Sequence, residues 1–478
     1  MSNSPTAHSP VVPQIPPLAG LCSFESASAP GMSVDECVAW LKRLHYLFRQ
    51  LHEILTARIT SEPLYELKTA FSHHGWLCAE QATALRTRVG EMRDPPLGLE
   101  VVPHPGLKLA VDEVRSAPNA YTLCVALYDV LLPALRESFE EYRQATNPLA
   151  DAPSVRLARF ALLDVDDMLR FGQGAIDGLA TGHKSQAVND WRELLRQALK
   201  SAGGISGRGE EMTELPSPCH SARPWQYDPV PRRDARFHDS YNGGVNPEAF
   251  LYDERFSPRD KTLMLFYKRL REIDVPEMMA SILVESPEKP WGFHHDMSRQ
   301  LWDEARHAMM GEVGFHQLGI DWTRIPINFT WSLNLNTQLT AQERHAVLFF
   351  IEQGLMPRTG KRYEWEVGKE SGVALASLFQ DFDWADEVLH AQLGREWYVK
   401  GFGDLNSALA YGDRCWSKVM SRWGEYREQG LTQHQNWWPD LYANACAIWG
   451  VPPDAQAAGF CETYETVRAD LKEISASG

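Results

Sequence analysis

Long apolar runs are missing from this sequence. No stretch approaches the roughly 20 consecutive apolar residues that a helix needs to cross a bilayer. The first residues also lack a basic stretch followed by an apolar one, so the sequence predicts no signal peptide. The eight cysteines are scattered without close pairs, which indicates reduced thiols instead of a disulfide framework. These absences predict a cytoplasmic protein without a membrane partner.

Positive charge is also scarce. The chain has 47 Lys and Arg residues against 63 Asp and Glu residues, which gives a formal net charge of −16. Nucleic-acid binding draws most of its affinity from basic residues, so we do not expect a nucleic-acid partner. The composition favours a small-molecule substrate instead.

The alternating pattern of β-strands is rare, whereas apolar residues recur at the three- and four-residue spacing of amphipathic helices. We therefore predict an all-α protein. At 478 residues the chain is too long for one ordinary core. The predicted segments are a disordered Pro- and Ser-rich segment at 1–30, a helical bundle domain at 31–200, a Pro- and Gly-rich linker at 201–257, a second bundle at 258–423 and a helical tail at 424–478.

One motif occurs twice among the histidines. Only two of the 16 histidines follow a glutamate by three positions, namely His307 after Glu304 and His390 after Glu387, and an aspartate precedes each glutamate. Positions i and i+3 share one helix face, so a single helix can offer an oxygen and a nitrogen to the same metal ion. The repetition favours a metal site over two ordinary surface salt bridges.

A dinuclear centre in a four-helix bundle needs one further glutamate from each of the other two helices. Glu277 precedes the first motif by 27 residues and Glu352 precedes the second by 35, gaps that suit antiparallel helix pairs. Both glutamates share a face with apolar residues, whereas Glu343 and Glu272 point to more polar faces. Glu272 is the alternative to Glu277, because Pro276 can kink that helix and shift its register.

The predicted ligand set indicates which metals would bind. Four buried carboxylates repel one another and lose hydration, and two divalent ions would balance their charge. Four carboxylates and two imidazoles without a thiolate suit iron or manganese better than structural zinc. We predict that Asp303 and Asp386 accept the remaining imidazole N–H groups, each across the pair, and that Arg306 offsets charge at the same level.

The sequences DEARH and DEVLH, each after a lone helical glutamate, resemble the ferritin-like diiron-carboxylate superfamily over roughly residues 258–423. This superfamily includes multicomponent monooxygenase hydroxylases, the small subunit of ribonucleotide reductase, rubrerythrins and bacterioferritins. The resemblance implies a ferritin-like four-helix bundle, preceded at 31–200 by a metal-free bundle that could be a degenerate copy. It implies no catalytic residues beyond the metal ligands, which would be Glu277, Glu304, His307, Glu352, Glu387 and His390.

The resemblance also implies a chemistry. The cofactor would be two iron ions, with a manganese–iron pair or two manganese ions as alternatives, and O2 would be the co-substrate. We expect a non-haem diiron oxygenase or oxidase that acts on a small organic molecule and receives electrons from a donor protein. The alternatives are a ferroxidase or peroxide-scavenging protein without an organic substrate, and a non-enzymatic helical scaffold with a vestigial site.

Overall fold

The predicted all-α class is confirmed. The computed structural model describes residues 15–180, 186–212, 214–357, 360–420 and 423–463. This part of the chain consists of helices and loops and contains no β-strand, only one isolated bridge between Ala202 and Glu211. Among its helices, none combines the length and the apolar character of a membrane-spanning segment.

The chain forms two compact units. The first unit comprises residues 1–47 and 81–222, and the second comprises residues 48–80 and 223–478. The helical segments of both units bury apolar side chains at helical spacing, as the periodicity predicts.

The compact units differ from the predicted domains at residues 48–80, which belong to the second unit and not to the first. Two helices of 28 residues each, Val34–Ser61 and Tyr65–Met92, explain the difference. The boundaries between the two units fall within these helices, after residues 47 and 80. The other predicted boundaries stay predictions.

The first unit contains most of the helices that precede residue 222. The predicted disorder of residues 1–30 is corrected at Phe24–Ser28, a short helix capped by the Ser23 side chain, while residues 1–14 lie outside the described part. A π-helical segment, Ala126–Leu131, links the helices Ala120–Val125 and Leu132–Ala145. The helices are α1 (Phe24–Ser28), α2 (Val34–Ser61), α3 (Tyr65–Met92), α4 (Pro105–Arg115), α5 (Ala120–Val125), α6 (Leu132–Ala145), α7 (Ala152–Leu179) and α8 (Gln186–Ser201).

The second unit contains the helices that follow residue 222. Residues 464–478 of the predicted helical tail lie outside the described part of the chain. The described helices are α9 (Pro247–Leu251), α10 (Pro258–Arg271), α11 (Asp274–Val284), α12 (Trp291–Gln317), α13 (Thr330–Gln338), α14 (Ala341–Leu355), α15 (Lys361–Glu370), α16 (Ala374–Trp397), α17 (Leu405–Met420), α18 (Trp423–Glu428), α19 (Trp438–Trp449) and α20 (Ala455–Ala458).

The stretch that contains both Glu272 and Glu277, predicted to be one helix that Pro276 can kink, is divided into α10 and α11. Pro276 explains the division, because it has no N–H to donate to the carbonyl of Glu272 and its ring crowds that carbonyl. Helix α10 therefore ends at Arg271, and Glu272 is its C-cap residue. The break sets the direction of Glu272 independently of the residues on α11.

Helices α10 and α12 approach closely at a glycine. A Cβ atom on Gly311 would lie 2.3 Å from the backbone nitrogen of Leu270 and 2.6 Å from the carbonyl oxygen of Phe266. Only glycine therefore permits this spacing. Because Glu272 follows Leu270 by two residues and His307 lies one turn before Gly311, the same contact brings Glu272 and His307 to one level.

We expect Gly311→Ala to lower the free energy of unfolding by about 1–3 kcal/mol, because the added methyl group overlaps the backbone of α10. The matched control is Gly174→Ala on α7, where a Cβ atom meets nothing within 4 Å. That change should raise stability by up to about 1 kcal/mol, since alanine favours helix. Urea unfolding followed by circular dichroism measures both, and equal effects would contradict the close approach.

Candidate metal centre

Four helical segments of the second unit bring six acidic and imidazole side chains together in its interior. Helix α12 carries the first motif, α16 the second and α14 a lone glutamate, while the sixth residue directly follows α10. All are buried except the last, whose side chain is 13% exposed. The six residues are Glu272, Glu304, His307, Glu352, Glu387 and His390.

One half of the cluster surrounds His390. Its Nδ1 atom lies 3.1 Å from Oε1 of Glu304, 3.6 Å from Oε2 of Glu387 and 3.9 Å from Oε1 of Glu352. One potential donor atom from each of these four residues lies within 4.8 Å of the others. Three oxygens and one imidazole nitrogen at this spacing can contact a single ion.

The other half surrounds His307. Its Nδ1 atom lies 3.5 Å from Oε2 of Glu272 and 3.7 Å from Oε2 of Glu304. Glu304 therefore faces His307 with one oxygen and His390 with the other. The two halves share this carboxylate, as a bridging ligand between two ions would require.

The atoms that point into the cluster lack hydrogen-bond partners within the described structure. Buried polar atoms are nearly always hydrogen-bonded, so a group of atoms without partners indicates a binding site for a ligand, ion or water, or a catalytic role. Both imidazoles and all four carboxylates contribute one atom each. These atoms are Oε2 of Glu272, Oε1 of Glu304, Nδ1 of His307, Oε2 of Glu352, Oε2 of Glu387 and Nδ1 of His390.

The opposite ring nitrogens face aspartates across the motif pair, as the sequence predicts. Nε2 of His307 lies 3.0 Å from Oδ2 of Asp386, and Nε2 of His390 lies 3.5 Å from Oδ2 of Asp303. The Arg306 guanidinium donates to both aspartates at 2.6 Å. This arrangement holds each ring so that its Nδ1 atom faces the carboxylates.

The electrostatics of the cluster favour positive charge at its centre. Burial opposes a charged imidazole, but hydrogen bonding, led by Asp386, still raises the pKa of His307 to about 10. The pKa of His390 is likewise well above its ordinary value despite burial, chiefly because of Asp303. Burial also raises the pKa of Glu352 well above the usual range. Each of these three groups has a raised pKa and so tends to keep a proton, which adds positive charge or removes negative charge in a cluster rich in carboxylates.

The structure does not bring Glu277 into the cluster. Its fully buried carboxylate pairs with Lys68 and Arg233 and accepts a hydrogen bond from Oγ of Ser332 at 2.6 Å. Five residues separate Glu277 from Glu272, which corresponds to directions roughly 140° apart on a regular helix. The predicted ligand Glu277 is therefore corrected to Glu272, and Glu277 belongs to a buried ion-pair network.

Three further residues of the cluster were not predicted from the sequence. Oδ1 of Asp383 lies 3.4 Å from Nδ1 of His307, and the side chains of Lys361 and Arg269 both pair with Asp383. Asp383 precedes Glu387 by one turn, so helical spacing could have identified it. Lys361 begins a separate short helix and carries no comparable pattern.

The donor set fits a pair of divalent ions. Around His390 and His307 it offers four carboxylates and two imidazoles, with atoms that lack hydrogen-bond partners among the described residues, and Asp383 forms a third group with His307 and Glu387. No thiolate belongs to any of the three groups among the described residues, and oxygen-rich sets with imidazole suit iron or manganese.

No family model matches the sequence, and no match exists among curated proteins or solved structures. The resemblance to ferritin-like diiron proteins therefore stays a prediction. The geometry of the cluster is the basis for assigning a function.

We expect Glu277→Gln to destabilise the second unit without changing the six clustered side chains. The substitution leaves Lys68 and Arg233 buried without their shared carboxylate, and loss of one partner from a buried ion pair costs about 3–5 kcal/mol. The control is Glu370→Gln at the exposed end of α15, where a surface change should stay within about 0.5 kcal/mol. Denaturant unfolding compares the two, and similar small effects would contradict the structural role of Glu277.

Proposed function

We propose that this protein is a non-haem dimetal oxidoreductase that uses O2 to oxidise a small organic molecule. One observation carries the proposal: six side chains from four helical segments converge, five of them buried, and each has a nitrogen or oxygen atom without a hydrogen-bond partner among the described residues. Burying these groups without a ligand would be costly, because an unsatisfied buried polar atom loses about 1–3 kcal/mol and a charged one loses more. A pair of divalent ions would satisfy all six.

The residues assigned to hold the metals are Glu272, Glu304, His307, Glu352, Glu387 and His390. Iron is the metal we favour, with manganese–iron or two manganese ions as alternatives, since hard oxygen ligands and imidazole suit both metals. When bound, such a pair supplies two-electron chemistry with O2 that no amino-acid side chain provides.

The protein residues themselves have three tasks. Asp386 and Asp303 accept hydrogen bonds from the Nε2–H groups of the two histidines. These bonds favour the tautomer that leaves a lone pair on each Nδ1 atom, where a metal ion would bind. Gln300 donates to Oε1 of Glu352 at 3.1 Å and orients that carboxylate. The buried environment excludes water, which strengthens every electrostatic interaction in the site.

The partners that we propose follow from this function. They are a small-molecule substrate and a protein that donates electrons. We also propose a cytoplasmic location, where the scattered cysteines would stay reduced. The absence of membrane-spanning helices among those described and the acidic net charge of −16 are consistent with these proposals.

Metal analysis tests the ligand set. Protein loaded anaerobically with excess Fe(II) and then desalted should contain up to about two ions per chain. Glu304→Ala should abolish binding at both positions, because its oxygens face both histidines, and His390→Ala should remove at least one ion. The matched control is His316→Ala, an exposed histidine on the same helix as Glu304, which should bind as the wild type does. Equal binding in all four proteins would contradict the proposal.

Both an oxidase and a ferroxidase consume O2, so the identity of the oxidised product separates them. The Fe(II)-loaded protein, supplied with a reductant and a panel of organic substrates, should transfer electrons to isotopically labelled O2 and yield an oxidised product detected by mass spectrometry. Glu304→Ala is the negative control. Sustained oxidation of added Fe(II) to a ferric mineral, with no organic product, would favour the ferroxidase alternative instead.

A further inference from the structure

The two halves of the metal centre differ in charge. Around His390, neither Glu304 nor Glu352 pairs with a lysine or arginine among the residues the structure describes. Around His307, the guanidinium of Arg269 lies 2.7 Å from Oε1 of Glu272. Arg269 therefore offsets charge in the His307 half, whereas no lysine or arginine among the described residues contacts Glu304 or Glu352.

Lys361 adds a second cation to the His307 half. Its side chain is fully buried, and its Nζ atom lies 2.9 Å from both carboxylate oxygens of Asp383. The same Nζ atom lies 2.8 Å from Oε1 of Glu387. Arg269 also contacts Asp383, so the carboxylate of Asp383 serves as the counter-ion of two protein cations.

Glu387 connects the two halves. Its Oε1 atom lies 2.8 Å from Nζ of Lys361. Its Oε2 atom has no hydrogen-bond partner among the described residues and faces Nδ1 of His390 at 3.6 Å. Oε2 of Glu387 is therefore free to bind an ion beside His390. The oxygen that would serve an ion beside His307 is already engaged by an ammonium group.

We propose that the two metal positions are unequal: the position beside His390 binds first and tightly, and Lys361 keeps the position beside His307 weak. This inference rests on the proposed function. A cation entering beside His307 must displace the Lys361–Glu387 contact and bind next to two protein cations. A cation beside His390 meets an imidazole and three carboxylate oxygens, none of which contacts a lysine or arginine among the described residues. Lys361 is a positioning residue, because the second metal ion can bind only when the contact between Lys361 and Glu387 is displaced.

Mn(II) titration of the full-length protein tests this inference, with paramagnetic resonance and calorimetry as readouts. The wild type should first show the spectrum of an isolated Mn(II) ion, and an exchange-coupled pair should form only at concentrations at least about tenfold higher, since a nearby unit charge opposes the second ion. Lys361→Met should tighten the second step by at least about tenfold and bring the coupled spectrum to lower Mn(II) concentration.

Two further variants control for folding and for charge in general. Lys361→Met/Asp383→Asn removes the ammonium together with the charge of one of its two carboxylate partners, so the net charge of the buried cluster is unchanged. Because the Lys361–Glu387 contact is lost in this variant too, its second step should tighten as well. Lys268→Met removes another buried lysine, whose partner Glu364 is outside the cluster, and should keep the stepwise wild-type pattern. Circular dichroism verifies that each variant is folded.

Each outcome bears on a defined claim. Two Mn(II) ions of equal affinity in the wild type, or an unchanged second step in both Lys361 variants, would overturn the inequality and leave the dimetal function standing. No Mn(II) binding by the wild type or by either Lys361 variant would overturn the proposed function, and the inequality with it. Binding of the second ion by the Lys361 variants alone would support the inference in its strongest form.

Discussion

Carboxylates can be buried together only if positive charge is buried with them. Five acidic side chains meet in the second unit, and desolvation alone would force several of them to retain protons. The chain supplies part of the compensation through Lys361 and Arg269, which pair with Asp383. The raised pKa values of both histidines indicate that this compensation is incomplete. The remaining deficit is the physical reason to assign cations to the cluster.

The fold meets this constraint by close packing and by a helix break. Gly311 lets α12 approach the backbone of α10, and Pro276 ends α10 so that Glu272 turns toward His307. Outside the cluster, Arg306 joins the two aspartates that orient the histidines. The donor atoms are therefore positioned by helices and by ion pairs that do not depend on a bound metal, which would reduce the cost of binding.

Helical periodicity predicted the all-α class, and the doubled motif predicted which side chains of α12 and α16 meet. These predictions succeeded because i, i+3 spacing is a local property of a helix. Glu277 was wrongly placed because the periodicity continues through Pro276 although the helix does not. Asp383 was one turn from Glu387 and could have been found. Lys361 could not, because only tertiary packing brings the start of a separate short helix into the cluster.

Anomalous X-ray diffraction from crystals grown with Mn(II) tests the central claim most directly, because it locates the metal without reference to activity. We expect anomalous density between the two motifs, in contact with Nδ1 of His390 and with the carboxylates of Glu304 and Glu352. Strong density confined to surface carboxylates, with the side chains around His390 closed on one another, would contradict it.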